Sequence, residues 1–177
     1  MKKIGNPWSV PVAVENIPDS GLHMAIEATT ATRAEVAELA ALRDLPHFSA
    51  VFDLTRQGAG VHVAGRVSAR VGQTCVVTLE PIQSAVVEAV DLAFAPGRPV
   101  EPKSPRERPQ GDDEPPEPLV GGTLDLGALA TEFLILGIDP YPRKAGAQFA
   151  APELEDVGEH PFAALQTLKK NLGGGQS

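Results

Sequence analysis

Three things are scarce in this sequence of 177 residues: cysteine, aromatic side chains and long apolar runs. The single cysteine excludes an intramolecular disulfide framework and a cysteine-rich zinc ribbon. The longest apolar stretch, near residues 126–138, is interrupted by Gly127, Thr131 and Glu132. It falls short of the roughly 18 apolar residues that a membrane-spanning helix needs. We therefore expect a cytoplasmic protein whose one thiol is reduced.

An excess of basic residues is also absent, since the formal net charge is −8. This balance argues against a protein that coats nucleic acid through bulk charge. Hydrophobic residues make up 42% of the chain and charged residues 21%, a composition that supports a folded core. Any contact with nucleic acid is therefore expected to be small and local.

Motifs of catalysis are missing as well. The sequence contains no phosphate-binding glycine loop and no nucleophile elbow. The four histidines, of which His62 is one, are scattered and do not have the spacing of metal ligands. We expect no catalytic residue, no cofactor, no metal and no small-molecule substrate. A less favoured alternative is a hydrolase or isomerase with a site built from His62, Arg66 and Glu80.

The section 1–95 is predicted to be mainly β, because apolar residues alternate with polar ones along it. We predict strands near residues 10–14, 22–28, 50–54, 61–71, 74–79 and 86–94. Alternation of this kind indicates an antiparallel sheet with one solvated face. One helix is expected in this section, beginning at a capping box formed by Thr32 and Glu35 and closed off by Pro46.

Eight of the 17 prolines lie in residues 96–118, which we predict to be a mobile linker. The section 119–177 is predicted to be helical and to pack on the same core, so that the chain forms a single domain. Asp125 is the expected N-cap of its first helix, and Pro161 begins its last. The predicted fold class is α+β, with an antiparallel β-sheet or a small, partly open barrel and a few packing helices.

Two groups of residues are candidates for a partner or rRNA contact. His62, Arg66 and Arg70 share one face of a predicted strand. This pattern suits a local basic patch, but it is also what an ordinary solvated sheet face looks like. The second group is Tyr141, Arg143 and Lys144 in the sequence DPYPRK, where an aromatic ring stands beside two cations. The alternative for this segment is an ordinary loop after a helix.

The strings TCVVTLEP, LDLGALATEFLILGIDPYPRK and HPFAALQTLKK together resemble the YceD family, the large ribosomal RNA subunit accumulation proteins. The resemblance runs from about residue 61 to residue 170. Its motif residues are expected to be structural: Cys75, Leu79, Glu80, Pro81, Asp125, Leu126, Pro161 and Phe162. It implies support of 23S rRNA accumulation and of large-subunit biogenesis. The implied partner is 23S rRNA or a large-subunit assembly protein, while an acidic protein-interaction module unrelated to ribosomes is the alternative.

Many members of that family carry a C-x-x-C pair that suggests a metal clip. Here Cys75 stands at the first position and Thr78 at the second. The resemblance therefore implies a cysteine-poor branch that dispenses with metal, in which packing of Val76, Val77 and Leu79 holds the corner. The apolar run TCVVTL around Cys75 also favours a buried, inert thiol over a nucleophile, and we expect alanine or serine to replace it.

Overall fold

The computed structural model describes residues 6–97 and 116–149. Their helices and strands are, in chain order, β1 (Pro11–Ala13), β2 (Leu22–Glu27), α1 (Thr30–Leu39), β3 (Asp44–Gln57), β4 (Gly60–Thr74), β5 (Pro81–Ala95), β6 (Glu117–Pro118), β7 (Thr123–Asp125) and α2 (Leu126–Gly137). A short 3-10 turn, Val14–Asn16, follows β1.

The main sheet has five strands in the order β2-β3-β4-β5-β6. Strands β2 to β5 are antiparallel, and β6 pairs in parallel with the end of β5 at Phe94 and Ala95. A two-residue loop joins β3 to β4, and Gly58 in that loop has φ +62°, a backbone conformation that favours glycine. A second sheet contains β1 and β7. The predicted α+β class is confirmed, and the described strands form an open sheet rather than a closed barrel.

The core lies on one side of the main sheet, here called the inner face. Four valines at alternate positions of β4 are fully buried: Val61, Val63, Val67 and Val71. Large side chains of β3, including Phe52, join them in the same buried cluster. Each fully buried valine or phenylalanine contributes about 1.5–3 kcal/mol of hydrophobic free energy. The predicted antiparallel sheet with one solvated face is thereby confirmed.

Helix α1 begins earlier and ends earlier than predicted. Its N-cap is Thr29, whose side-chain oxygen accepts the backbone N–H of Thr32 at 3.2 Å. The predicted capping box of Thr32 and Glu35 is wrong, because Thr29 is the threonine with extended backbone and Thr32 already lies inside the helix. The helix ends at Leu39, so Pro46 does not stop it. Pro46 lies instead in β3, at the irregular register between Asp44 and His47.

Helix α2 has the N-cap that the sequence predicted. Asp125 Oδ1 accepts the backbone N–H groups of Gly127 and Ala128, each at 3.1 Å. Ser9 Oγ donates to Oδ2 at 2.6 Å, and Val10 N–H donates to Oδ1 at 2.8 Å. Partial burial opposes ionisation of this carboxyl, but the hydrogen bonds outweigh it and lower the pKa of Asp125. One carboxylate thus fixes both the start of α2 and the residues that lead into β1.

Two predictions fall largely or wholly outside the described residues. Of the segment 96–118, only its two ends are described, and Glu117–Pro118 forms β6. The predicted last helix, with Pro161 and Phe162, lies outside them altogether. The contact pattern divides the chain into residues 1–147 and residues 148–177, and the fold given above is that of the first unit. The single-domain organisation stays a prediction.

Candidate functional site

The turn between β4 and β5, here called the cysteine corner, covers residues 75–80. The predicted strand over 74–79 is wrong. Thr74 ends β4 and pairs with Pro81, the first residue of β5, so residues 75–80 form the turn that reverses the chain. Cys75 N–H donates to the carbonyl of Glu80, and Leu79 N–H donates to the carbonyl of Cys75, both at 2.9 Å. Leu79 has φ +59°, a left-handed conformation that lets the turn close. The apolar run TCVVTL therefore forms a tight hydrogen-bonded turn.

Apolar packing does not hold this corner, contrary to the prediction. Leu79 is 74% exposed and Val76 is 45% exposed, and Val77, the third residue of that prediction, is only half-buried. The buried atom is Cys75 Sγ, which accepts the backbone N–H of Thr78 at 3.4 Å and that of Lys144 at 3.3 Å. Such contacts satisfy donors that a turn would otherwise leave unpaired. The thiol is the centre of the corner rather than an inert filler.

The residues that follow α2, here called the post-helix segment (139–144), are attached to the cysteine corner. Val76 N–H donates to the carbonyl of Pro142 at 2.9 Å. Lys144 Nζ lies 2.9 Å from Glu80 Oε2 in an ion pair whose two side chains are half exposed. Together with the N–H of Lys144 on Cys75 Sγ, these bonds join two parts of the chain that are more than sixty residues apart.

The same hydrogen bonds set the ionisation of the corner. The backbone N–H of Lys144, followed by Thr78, lowers the pKa of the Cys75 thiol to about 6. Hydrogen bonds from Lys144 and Thr78, together with the charge of Lys144, lower the pKa of Glu80. At neutral pH the corner therefore favours a thiolate that accepts two N–H groups and a carboxylate that is paired with an ammonium group.

The donor set at the corner does not fit a metal clip. Cys75 supplies one thiolate, the hydroxyl of Thr78 stands at the second position of the motif, and Glu80 is paired with Lys144. Zinc in a structural site takes four ligands from cysteine, histidine and carboxylate groups. Within residues 6–97 and 116–149, no group of three or more such residues is placed to hold a metal ion. Hydrogen bonds account for the geometry of the corner.

The opposite side of the main sheet, here called the outer face, presents the first candidate group. Arg66 and Arg70 point away from the core on alternate positions of β4, and both are exposed. Cross-strand pairing places Val51 and Ala89 on either side of Arg66. The same pairing places His47 and Ala85 beside Arg70. Neither arginine therefore has a carboxylate as its direct cross-strand neighbour.

The acidic side chains of the outer face that lie nearest to Arg66 have histidine partners. Asp53 Oδ1 lies 2.6 Å from His23 Nδ1, and Asp91 Oδ1 lies 2.7 Å from His62 Nε2. His62, one of the predicted contact residues, is thus already hydrogen-bonded within the sheet. Over the described part of the chain, neither Arg66 nor Arg70 takes part in an ion pair within 4.0 Å. The two guanidinium groups are left to face solvent.

The structure does not bring the two candidate groups together. The post-helix segment lies on the inner side of the sheet, where Gln73 Nε2 donates to the carbonyl of Asp139 at 2.8 Å. Gln73 shares the alternation of Val71, which faces the core. Tyr141 is 72% exposed, and Arg143 is exposed as well. The ammonium group of Lys144 is paired with Glu80, so the second candidate group, at residues 141–144, is attached to the cysteine corner.

Sequence reasoning missed the residues that strand β3 adds to the outer face. Ser49 lies opposite Ser68, and His47 lies opposite Arg70. Ser49 Oγ is 3.1 Å from His47 Nε2. The polar alternation of β3 was visible in the sequence, but only the register of the β3–β4 hairpin shows which of its residues stand beside the arginines.

The geometry does not assemble the alternative catalytic group of His62, Arg66 and Glu80. Thr74, which adjoins the cysteine corner, lies twelve positions after His62 on β4. At about 3.3 Å per residue, His62 and the corner are about 40 Å apart. Glu80 therefore cannot act on the same substrate atom as His62.

The fold and its surfaces define a class: an α+β protein with an open, mostly antiparallel sheet, an arginine-bearing face that no described helix covers, and a hydrogen-bonded cysteine corner. Residues 63–169 match the model of a family described as large ribosomal RNA subunit accumulation protein YceD. This match spans more than half of the chain, and the chain belongs to the YceD family. It covers the outer-face arginines, the cysteine corner and α2.

No curated protein and no solved structure matches the chain. Neither of the helices in the described ranges has the length and apolar character required to cross a membrane.

Proposed function

We propose that this protein is a non-enzymatic factor that supports the accumulation of 23S rRNA and hence the biogenesis of the large ribosomal subunit. The observation that carries the proposal is membership of the YceD family over residues 63–169. The family description names large-subunit ribosomal RNA, which makes a precursor of that subunit the expected partner. The site of action would then be the cytoplasm, where such precursors are assembled.

The described surfaces support a binding role better than a catalytic one. Catalysis requires a nucleophile, a base or an electrophile that converge on one point. His62 and Glu80 are separated by most of the length of β4, and the Cys75 thiol is buried inside its own turn. The exposed features are instead an arginine-bearing sheet face and an aromatic residue, Tyr141, beside the corner. Features of this kind suit docking to a partner.

Depletion of the protein tests the proposal. We expect the ratio of 23S to 16S rRNA and the amount of free large subunit to fall, and both to recover when the wild-type chain is expressed again. Unchanged ratios after complete depletion would contradict the proposal. Copurification provides a second measurement: association with large-subunit precursors is expected. Association with unrelated proteins alone would favour the alternative, an acidic interaction module unconnected with ribosomes.

A further inference from the structure

We propose that the outer face is the RNA contact of this protein and that Arg66 and Arg70 bind phosphate groups of double-stranded RNA. This inference rests on the proposed function, because the identity of the partner comes from it. It assigns the contact to one of the two candidate groups and leaves the post-helix segment with a structural role.

The spacing of the two arginines suits two separate phosphate contacts. They lie four residues apart on β4 and on the same face, which places their Cα atoms about 13 Å apart. Ser68 lies midway between them, and Ser49 stands opposite it on β3. Arginine binds phosphate through a planar fork of N–H donors, and hydroxyl groups add further donors to phosphate oxygens. The strand therefore presents a row of donors with charge at both ends.

The shape of the outer face allows a nucleic-acid backbone to approach closely. An open depression of about 550 Å³ lies at Arg66 and is lined also by Ser49, Val51, Ser68 and Asp53. The neighbours of the arginines on β5 are Ala85 and Ala89, whose short side chains leave the guanidinium groups unobstructed. No helix of the described ranges covers this side, since α1 and α2 both contribute to the core on the inner face.

The direct cross-strand neighbours of the two arginines leave room for an anion, although the net charge of the chain is −8. The carboxylates of β2 to β5 that share the outer face are Glu27, Asp44, Asp53 and Asp91. Asp53 and Asp91 are bonded to histidines, and Asp44 lies against Gly72, opposite it on β4. Glu27 lies on the edge strand β2, two strands away from Ser68. Neither Arg66 nor Arg70 has a competing carboxylate on its own cross-strand row.

The kind of RNA follows from what the outer face omits. Between His23 and Ala93, the alternate positions that form this face include no Phe, Tyr or Trp. Single-stranded RNA is bound chiefly by stacking of its bases on aromatic rings. Double-stranded RNA is instead contacted through its phosphates and 2′-hydroxyl groups. A face whose donors are arginine and serine, set among short aliphatic side chains that include the exposed Val51 and Val87, matches the second mode. The binding should not depend on sequence.

The post-helix segment is a weaker candidate for this role. The ammonium group of Lys144 is paired with Glu80 at 2.9 Å, and its backbone N–H is used by Cys75. Release of Lys144 for a phosphate would break the ion pair that joins the segment to the corner. Arg143 is the remaining cation of the group, and it serves as a control in the experiment below.

The test compares two double variants of the full chain by fluorescence anisotropy with a labelled double-stranded RNA and with single-stranded poly(U). The first variant is Arg66→Gln with Arg70→Gln. The matched control is Arg56→Gln with Arg143→Gln, which removes the same charge from exposed positions away from the centre of the outer face. Unchanged melting temperatures establish that both variants fold.

We expect the wild-type chain to bind the duplex more tightly than poly(U). The outer-face variant should lose about tenfold or more in affinity for the duplex, and the control should stay within about twofold. The slope of log K against log salt should fall by about 2 in the outer-face variant, because two phosphate contacts are lost. Equal losses in both variants would overturn the assignment, and so would tighter binding to poly(U).

Failure of this inference is distinguishable from failure of the proposed function. If depletion lowers 23S rRNA but the outer-face variant binds the duplex normally, the function stands and the RNA contact is wrong. If the variant loses duplex binding but depletion leaves 23S rRNA unchanged, the RNA contact stands and the function is wrong. If the variant loses only an acidic protein partner and keeps its RNA affinity, the inference is overturned in favour of a protein contact.

Discussion

The two faces of β4 make different use of the same stretch of chain. On the inner face, buried valines stand on both sides of Gly65 along the strand and pack into the core. On the outer face, Arg66, Ser68 and Arg70 make no ion pair within the described residues and cover no apolar cluster. Because these outer-face side chains do not contribute to core packing, they are available to bind a partner. The inner face therefore accounts for stability, and the outer face is the surface for which we propose the RNA contact.

Substitution of Gly65 should produce the largest effect on stability. A Cβ atom at this position would lie 2.2 Å from the backbone carbonyl oxygen of Val51 and 2.9 Å from the ring of Phe52. We expect Gly65→Ala to lower the free energy of unfolding by about 2–3 kcal/mol, because the core must shift to make room. Urea denaturation measures this change. Ser68→Ala on the outer face is the matched control and should change it by less than about 0.5 kcal/mol. Similar effects of the two substitutions would remove the distinction between the faces.

In the cysteine corner, polar groups stabilise the fold. Substitution of Cys75 tests this structural role. Cys75→Ala leaves the N–H groups of Thr78 and Lys144 without an acceptor, so we expect the melting temperature to fall by about 2–6 °C. Cys75→Ser keeps an acceptor and should lose less. The sequence-based expectation that either substitution is tolerated is thus revised for alanine. Equal melting temperatures of the wild-type and alanine proteins would contradict this account.

The lowered pKa of the Cys75 thiol also predicts that the stability of the protein depends on pH. Its pKa is lowered from 9.0 to about 6, so the native state holds fewer protons than the unfolded state between these values. The stability contributed by Cys75 should therefore rise from pH 6 towards pH 9 and be lost as the pH falls through 6. The difference in melting temperature between wild type and Cys75→Ala should widen over that range. Thiolate absorbance of the native protein should titrate with a midpoint near 6.

Glu80 should produce a smaller change. Its pKa is lowered below the ordinary value of 4.5 by Lys144, so its contribution is present above pH 4.5 and is lost as the pH falls through the lower native value. The ion pair is half exposed, and we expect Glu80→Gln to lower the melting temperature by less than about 2 °C at pH 7. At pH 3 the difference should shrink. A constant difference at the two pH values would show that charge is not involved.

The parts of the fold that the sequence predicted are those decided by neighbouring residues. Alternation from Val61 to Val71 indicates a half-buried strand, since side chains of a strand point to opposite faces in turn. Asp125 is recognisable as an N-cap because its partners, Gly127 and Ala128, follow at once. These features depend on a few adjacent residues and need no knowledge of the rest of the chain.

The cysteine corner could not be predicted in this way. The hydrogen bond to Cys75 from Lys144 comes from a residue 69 positions away, and no local pattern shows it. An apolar run such as TCVVTL is compatible with a strand or a turn, and the pairing of Thr74 with Pro81 decides between them. The neighbours of Arg66 on the outer face likewise depend on the register of three strands. Contacts between residues far apart in the sequence therefore determine these features, which the local sequence pattern leaves undecided.

The most direct test of the central claim is the 23S to 16S rRNA ratio in cells depleted of the protein. The ratio should fall on depletion, recover with the wild-type chain and recover with the Arg56→Gln, Arg143→Gln control. It should stay low with the Arg66→Gln, Arg70→Gln variant expressed at the same level. A ratio that never falls would contradict the proposed function, and full recovery with the outer-face variant would contradict the assignment of the RNA contact.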